Sequence, residues 1–439
     1  MSVIYPEVRQ RHQRQNSHIN KLDPQDRPVH RWYRFVLSFP PHLVQDYLEK
    51  FAIAHNQTVL DPFCGTGTTL VECKKLGISS VGIEANPMAH FASQVKLDWS
   101  PDPDRLIAHA TQVAEAAQAQ LASTGFDDNC DFEQVKHLLQ ELPSESQKLL
   151  LKGSISPIPL HKTLVLLNCL QQDGKQQYHQ HERLALASVL VNSISNLEFG
   201  PEVGIAPSKV NVPVVDVWLA AVSAIAEDLR QLGIQESPPA VVHYADSRQI
   251  LTVLAPNSID AVITSPPYPN EKDYSRATRL ELVLLGFIHN KAELRALKGK
   301  LIRSNTRGVY KQDQDDHWVA EHPEIQHIAA AIEARRIQLG KTSGFERLYA
   351  RTTKLYFGGM ARHLAELRSI LRPGAQLAYI VGDQASYLRV MIRTGQLLAD
   401  VAQSLGYELV RIDLFRTRRA TTTGEELREE AVVLRWPGP

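Results

Sequence analysis

Two short stretches of this chain hold residue types and spacings that could do chemistry. In the first, the apolar run Ile259–Thr264 stops in Ser265-Pro266-Pro267-Tyr268. Paired prolines remove two backbone N–H donors and bar helix just before them. The chain therefore stiffens at a strand end and then sets out an aromatic ring. An ordinary strand-ending turn uses the same residues, so the rest of the chain must decide between the two readings. The second stretch is TVLDPFCGTGTTLVECKKLG, Thr58 to Gly77. A strand runs into Asp61-Pro62-Phe63, then Gly65-Thr66-Gly67, then a helix from about Thr68. Glycines there let the backbone turn tightly and approach a ligand, and the helix N-terminus aims N–H groups at it. The spacing is neither that of a phosphate-binding P-loop, which needs a Lys, nor the three-glycine dinucleotide fingerprint. The next strand, SSVGIE, ends in Glu84, about twenty residues beyond the glycines, where a carboxylate can hold the two hydroxyls of a ribose. Standing alone, Glu84 also reads as a surface loop acid.

The elements that must position these residues are short apolar runs alternating with helical patterns. The runs are Thr58–Phe63, Ser80–Ile83, Ala240–Tyr244, Ile259–Thr264, Gln376–Val381, Glu408–Leu414 and Glu430–Arg435. Each is rich in Val, Ile and Leu and bounded by Gly, Pro, Asp or Ser, as buried strands of a parallel sheet are. Between them, Phe357, Met360, Leu364, Leu367 and Leu371 recur at helical spacing, and Pro373-Gly374 closes that helix. Val214, Val217, Trp218, Ala221, Ile225 and Leu229 form a second stripe. Alternating strands and helices predict a doubly wound α/β domain. Two blocks break the alternation. Residues 100–212 carry no clear strand and read as a helical insert, with helices over Asp104–Ala122 and Glu182–Asn196 and breaks at Gly153, Pro157, Pro159 and Gly174. Residues 288–350 are rich in charge of both signs and also read as mostly helical. The polar, Arg/Gln/His-rich residues 1–30 read as a mobile arm or a segment that orders on a partner. The sheet domain is then expected in two halves, 31–99 and 213–439.

Composition excludes more than it identifies. The 439 residues are 43% hydrophobic and 22% charged, with formal net charge zero, so any nucleic-acid surface must come from local clusters. Four cysteines without a CxxC pair argue against a disulfide framework or a zinc site, and no metal is expected. The N-terminus lacks the apolar core of a signal peptide, and no run approaches the ~18 apolar residues of a membrane span. A cytoplasmic protein without membrane contact is expected.

DPFCGTGTT, IEANPMA and TSPPY together resemble the amino-methyltransferases, S-adenosylmethionine-dependent enzymes that methylate exocyclic amino groups of nucleic-acid bases. The family's cofactor motif reads DPFxGxGT, and its catalytic motif is Asp, Asn or Ser, then Pro-Pro, then an aromatic residue. The resemblance covers about residues 31–95 and 240–436 and leaves out the helical insert. It implies a seven-stranded, mostly parallel Rossmann-like methyltransferase sheet with an antiparallel last strand. It also implies base flipping, since a base inside a duplex is out of reach. In the family Ser265 and the Pro266 carbonyl would accept the amino N–H bonds of the base, Pro267 would help fix them, and Tyr268 would stack on the base. Carbon-5 methylation would need a Pro-Cys pair, and none occurs. Ser-Pro-Pro-Tyr goes mostly with cytosine N4, so the resemblance implies a site-specific cytosine-N4 methyltransferase of duplex DNA. An adenine-N6 enzyme, an RNA base methyltransferase and a non-catalytic subunit of a defence complex remain alternatives. Restriction–modification or defence is the expected setting, with a restriction or defence protein as companion.

The same resemblance assigns cofactor contacts to Phe39, Asp61, Phe63, Gly65, Gly67, Thr68, Glu84, Asn86 and Asp246. Phe39 opens FPPHLVQDYL, which resembles the segment closing over the methionine end of the cofactor, and which also reads as a plain helix start. Asp246, at the end of VVHYAD, would contact the adenine ring or else cap the next helix. Cys64 reads as a small packing residue. Tyr274 and Arg276 follow the catalytic motif and either face the target strand or serve as helix cap and surface charge. Basic clusters at Arg295–Lys311, Arg335-Arg336 and Arg411–Thr423 supply Arg303, Arg307, Arg416, Arg418 and Arg419 as phosphate contacts, against the reading of solvated charge. Relatives with this motif order insert their recognition element after the third strand, whereas residues 100–212 precede Asp246. The 288–350 block is therefore a second candidate for base recognition.

Overall fold

The computed structural model describes residues 22–33, 39–126, 130, 132–172, 176–199, 203–233, 238–269, 272–419, 424 and 426–439. Seven strands form the main sheet: β1 (Thr58–Asp61), β2 (Ser79–Glu84), β3 (Ala240–Tyr244), β4 (Ile259–Thr264), β5 (Leu371–Gly382), β6 (Glu408–Arg419) and β7 (Glu426–Arg435). Their spatial order is β3-β2-β1-β4-β5-β7-β6. The first five run parallel. The last strand, β7, pairs antiparallel with both its neighbours. The expected sheet is present, and strand ends lie within a few residues of the apolar runs, except that β5, β6 and β7 extend further.

Period-2 alternation divides the strand side chains between two cores. Leu60, Val262, Leu377, Tyr379, Val432 and Leu434 face one side. Val59, Ala261, Ile263, Ala378, Ile380, Ala431 and Val433 face the other. Helix Tyr349–Leu367 covers the first side through Phe357, Met360 and Leu364. Helix Pro41–Lys50 covers the second through Leu43, Val44, Tyr47 and Leu48. Burial on both faces is why these strands read as continuous apolar runs. Leu371 is a correction: the helix ends at Leu367, and Leu371, Pro373 and Gly374 belong to β5, so Leu371 continues the helical spacing only by chance.

The 100–212 block is mainly helical, with long helices at Pro103–Ser123, Pro157–Gln172 and Gln176–Val189. It also holds a small antiparallel pair, Leu197–Phe199 with Val203–Ile205, that the sequence reading did not expect. The helix expected over Glu182–Asn196 ends at Val189 and passes into a wider π turn, Leu190–Ile194. The insert does not build a core of its own. Leu106, Val113, Leu166 and Leu184 share one apolar cluster with Leu70 and Met88 of the sheet domain and with Leu280 behind the catalytic motif.

Residues 1–21 of the expected arm lie outside the described residues. Val29 and His30 are buried, which corrects the reading of 1–30 as a mobile arm at its C-terminal end. Val29, Trp32 and Tyr33 are buried in that same cluster. Asp228, on helix Val214–Leu232, has no exposed surface and accepts hydrogen bonds from Val29 N (3.1 Å), Arg31 Nε (3.0 Å) and Trp32 Nε1 (2.8 Å). His30 Nε2 donates to Glu72 at 2.8 Å, and the Tyr33 hydroxyl to Glu281 at 2.6 Å. Among the described residues, no helix is long and apolar enough to cross a membrane.

Candidate active site

The order of strands reverses between β1 and β4, and ligands of open α/β sheets bind outside the carboxyl ends at such a point. The glycine loop follows β1 and the Ser-Pro-Pro-Tyr turn follows β4, so adjacency of the two strands brings the two motifs together. Asp61 ties them. Its carboxylate is fully buried and accepts from Thr264 Oγ1 (2.6 Å), Thr69 Oγ1 (2.7 Å) and Phe63 N (3.1 Å). Burial pushes its acid up to about 6, against those three hydrogen bonds. Asp61 therefore braces the loop from beneath and does not line the cavity above it.

That cavity has a volume of about 780 Å³. Phe39, Phe63, Gly65, Thr68, Glu84 and Asn86 line it, together with Ser265, Pro266, Pro267 and Tyr268. Gly65 has φ +52°, and a Cβ there would meet no protein atom within 4 Å. Since Gly65 lines the cavity, that Cβ would occupy space left for a ligand. Gly67 has φ +84°, and a Cβ there would lie 2.7 Å from Ser93 Oγ. Its glycine is required by the turn into helix Thr68–Lys75, not by the cavity wall.

Glu84 is held at the end of β2 by two backbone donors, Gly65 N at 2.8 Å and Asn86 N at 2.7 Å. Burial raises its acid to about 7, although both hydrogen bonds favour the charged form. Asn86 caps helix Pro87–Leu97 through Met88 N at 3.0 Å. Its Nδ2 donates to Thr278 Oγ1 at 3.0 Å, joining the glycine-loop side of the cavity to the helix behind the Ser-Pro-Pro-Tyr turn. Phe63 packs edge-on against His363, with ring centres 4.8 Å apart. His363 Nδ1 donates to the Ser247 carbonyl at 3.0 Å, and its Nε2 accepts from the Tyr379 hydroxyl at 2.7 Å. Burial holds that ring down at about 4, so a neutral imidazole supports Phe63.

On the opposite wall, the Ser265 hydroxyl donates its proton to the Ile380 carbonyl at 3.1 Å, and the same side chain is hydrogen-bonded to the Tyr268 phenol. Tyr268 lies over Gly382, where a Cβ would come within 3.2 Å of the ring. Burial, with the charge of Glu429 adding to it, pushes the Tyr268 phenol up to about 12, so it stays neutral. Tyr274 also lines the cavity.

Asp246 takes the second of its two expected places, as the cap of the next helical turn. Ala245 and Ser247 line the cavity, but the Asp246 carboxylate turns away to Arg248. It accepts from Arg248 N and Nε, both at 2.9 Å, and from Arg248 Nη2 at 2.6 Å. Capping and an ion pair outcompete an outward-facing role. Arg303 is likewise taken up internally: its fork grips Asp313 at 2.8 and 2.9 Å, and Nη1 donates to the Lys298 carbonyl at 2.7 Å. It lines the cavity but is buried, so it braces the wall rather than reaching out to phosphate. Arg416 and Arg418 line the cavity and both pair with Glu429. Arg419 is exposed and stands outside the lining, and Arg307 is half-buried beside lining residue Gly308. Arg276 is half-buried on the short helix Tyr274–Ala277 and does not line the cavity.

The sequence reading missed Lys272, Lys298, Ser304, Asn305, Gln384 and Glu429, all of which line the cavity. The acid Glu429 could have been found by registering β6 on β7, which sets it opposite Arg416.

The family model described as DNA methylase, N6_N4_Mtase, matches residues 4–94. Over 434 residues the chain is 25% identical to the type II methyltransferase M.BsoBI of Geobacillus stearothermophilus, covering 93% of this chain and 84% of that one. It is 21% identical over 427 residues to the type II methyltransferase M.AvaI of Nostoc sp., covering 90% and 83%. Among solved structures, TrmN from Thermus thermophilus is 10% identical with a TM-score of 0.31; the match takes in 93% of this chain and about half, 52%, of that one. The sequence matches support a DNA amino-methyltransferase that uses S-adenosylmethionine.

Proposed function

We propose that the chain transfers a methyl group from S-adenosylmethionine to the exocyclic N4 of a cytosine flipped out of a specific duplex DNA sequence. The observation that carries this reading is the meeting of Glu84 and Gly65 with Ser265–Tyr268 in one cavity of about 780 Å³. The cofactor supplies an electrophilic methyl group on a sulfonium, so the protein's work is alignment. The residues present suit it: Glu84 presents a carboxylate to ribose hydroxyls, Gly65 leaves room beside it, and Phe39, Phe63, Thr68 and Asn86 complete that side.

On the other side, Ser265 lines the cavity with its proton directed to Ile380, and an incoming amino group would take the place of the Tyr268 phenol at its oxygen. With the Pro266 carbonyl, that oxygen would draw on the two N–H bonds of the amino group, whose lone pair is otherwise delocalised into the ring. Pro266 and Pro267 leave no N–H donors to compete. Tyr268 provides the stacking face. This is electrostatic preorganisation without a covalent intermediate. Cytosine is preferred over adenine because Ser-Pro-Pro-Tyr resembles the N4 motif. Tyr274, Arg276, Arg307, Arg416, Arg418 and Arg419 are assigned to the DNA side. The type II relatives favour a modification role in the cytoplasm beside a companion restriction protein.

Mass spectrometry of nucleosides tests this, using a host without its own methylases and a Pro266→Ala, Tyr268→Ala double variant as control. N4-methylcytosine in the DNA, absent from the control, is the expected result. N6-methyladenine would overturn the choice of base. Methylated RNA with unmodified DNA would overturn the substrate.

A further inference from the structure

Beside Tyr268, one carboxylate in the cavity wall is shared by three cations. Glu429 lies on β7 and lines the cavity, with its side chain 13% exposed. Arg416 grips it with two donors, Nε at 3.1 Å and Nη2, and Arg418 Nε lies 3.3 Å from Glu429 Oε1. The two arginines stand two residues apart on β6, so they share a face, and both line the cavity. Lys272 lines it too. Its carbonyl accepts from Asn305 Nδ2 at 3.1 Å and from Ser304 Oγ at 3.4 Å, which ties its backbone to two other lining residues. Burial, and after it the charge of Arg418, lowers the Lys272 ammonium from its ordinary value, while Glu429 acts the other way.

The cluster is built around the aromatic ring of the Ser-Pro-Pro-Tyr turn. A Cβ on Gly382 would lie 3.2 Å from the Tyr268 ring and 3.4 Å from Glu429 Cγ, so ring and acid rest on the same glycine. An arginine fork meets a carboxylate and a phosphate with the same bidentate geometry, so Glu429 occupies a place that suits a phosphate. Arg418, 42% exposed, opens that place to solvent. A base that leaves the stack turns about its own backbone, so it brings its flanking phosphates to the mouth of the pocket it enters.

We propose that Lys272, Arg416 and Arg418 form a seat for a phosphodiester flanking the flipped nucleotide, and that Glu429 fills the seat until that phosphate displaces it. This rests on the base-flipping part of the function proposed above. Glu429 competes with the phosphate, so it weakens binding of the target duplex, whereas the cations strengthen it. The exchange acts on DNA affinity, not on methyl transfer.

Affinity for the target duplex tests this, measured with S-adenosylhomocysteine bound so that no turnover occurs. The target sequence comes from sequencing DNA of the expressing host. The duplex is made unmodified, with a neutral methylphosphonate at the linkage 5′ or 3′ to the target nucleotide, and with one outside the recognition sequence. Wild type should lose roughly 10- to 100-fold on one of the two flanking methylphosphonates and little on the distant one. Arg418→Ala should lose about 10-fold on the unmodified duplex and little more on that flanking methylphosphonate. Glu429→Gln should bind the unmodified duplex several-fold tighter than wild type and gain nothing where the linkage is neutral. A merely structural ion pair gives the opposite sign, with Glu429→Gln weakening every duplex alike. Cofactor affinity checks that each variant is folded. If wild type treats flanking and distant methylphosphonates alike, or Glu429→Gln shifts all duplexes by one factor, the seat is wrong and the functional reading stands. If the host's DNA carries no mark, that reading falls and the seat with it.

Discussion

Replacing Asp228 by Ala should undock residues 27–33 from the body of the protein. Asp228 is fully buried, and two of its donors, Val29 N–H and Trp32 Nε1–H, are buried with it. Each would be left without its acceptor, at a cost of roughly 1–3 kcal/mol. Arg31 is 41% exposed and can turn to water, so its share is discounted. The total is about 4 kcal/mol. Spread over the unfolding entropy of 439 residues, at ~2.1 cal/mol/K each, that is a fall of only ~4 °C in Tm. Amide hydrogen exchange reads the local event more sharply. A local destabilisation of ~4 kcal/mol raises the exchange rate at Val29 by roughly a thousandfold. Asp228→Asn, which keeps one acceptor oxygen, should fall between. Because this segment leads to Phe39 and Pro40 in the cavity wall, cofactor affinity should drop a few-fold in parallel. Exchange at Val29 and Trp32 within about threefold of wild type would refute the idea that Asp228 holds this segment down.

Three further outcomes are expected. Gly67→Ala forces a side chain into φ +84° and against Ser93 Oγ; it should cost about 1–3 kcal/mol in urea unfolding and weaken cofactor binding, and an unchanged midpoint would remove the steric account. Tyr268→Ala should lower kcat/KM on DNA by roughly 10- to 100-fold, the worth of one stacked base, while calorimetric affinity for the cofactor stays within about threefold. Glu84 carries its acid at about 7, above the ordinary 4.5, so the folded chain holds that proton in a window where the unfolded chain has lost it. Its contribution to stability is therefore present below about pH 4.5 and is lost as pH rises through 7, by up to roughly 3 kcal/mol. Asp61 shifts the same way. Urea midpoints from pH 5 to pH 8 should fall more in wild type than in Glu84→Gln, and parallel curves would contradict the assignment.

What could be read in the sequence follows from the range of the interactions involved. The central strands, buried on both faces, announce themselves as apolar runs, and the more exposed edge strands Ala240–Tyr244 and Glu408–Arg419 were visible through their β-branched and apolar content. So were the glycine loop and the prolines, because each dictates its own local backbone. Arg303 misled because a basic cluster looks solvated or DNA-facing until its acid is known. Asp313 lies ten residues on and is visible in the sequence, but only the fold of the 303–313 turn says that the two meet. The end of the 1–30 stretch misled for the opposite reason: its polar composition hides Val29 and His30, whose burial depends on Asp228, 199 residues away, and Glu72, 42 residues away.

Asp246 shows how such a distant partner changes the site itself. Read locally, it is a carboxylate at the end of a third strand, open to a ligand or to the next helix. Arg248 settles which, because its guanidinium also reaches Asp315 at 2.5 Å, 67 residues on. The Asp246–Arg248–Asp315 chain is almost wholly buried, with side chains 11%, 6% and 10% exposed. Removing one member of such a group leaves buried charge uncompensated, so the three hold together. Asp315 belongs to the 288–350 block, while Asp246 lies between two residues that line the cavity. The same carboxylate that was expected to read a cofactor therefore joins the floor of the cavity to the face assigned to DNA. A shift of Asp315 would reach Ala245 and Ser247 through one arginine.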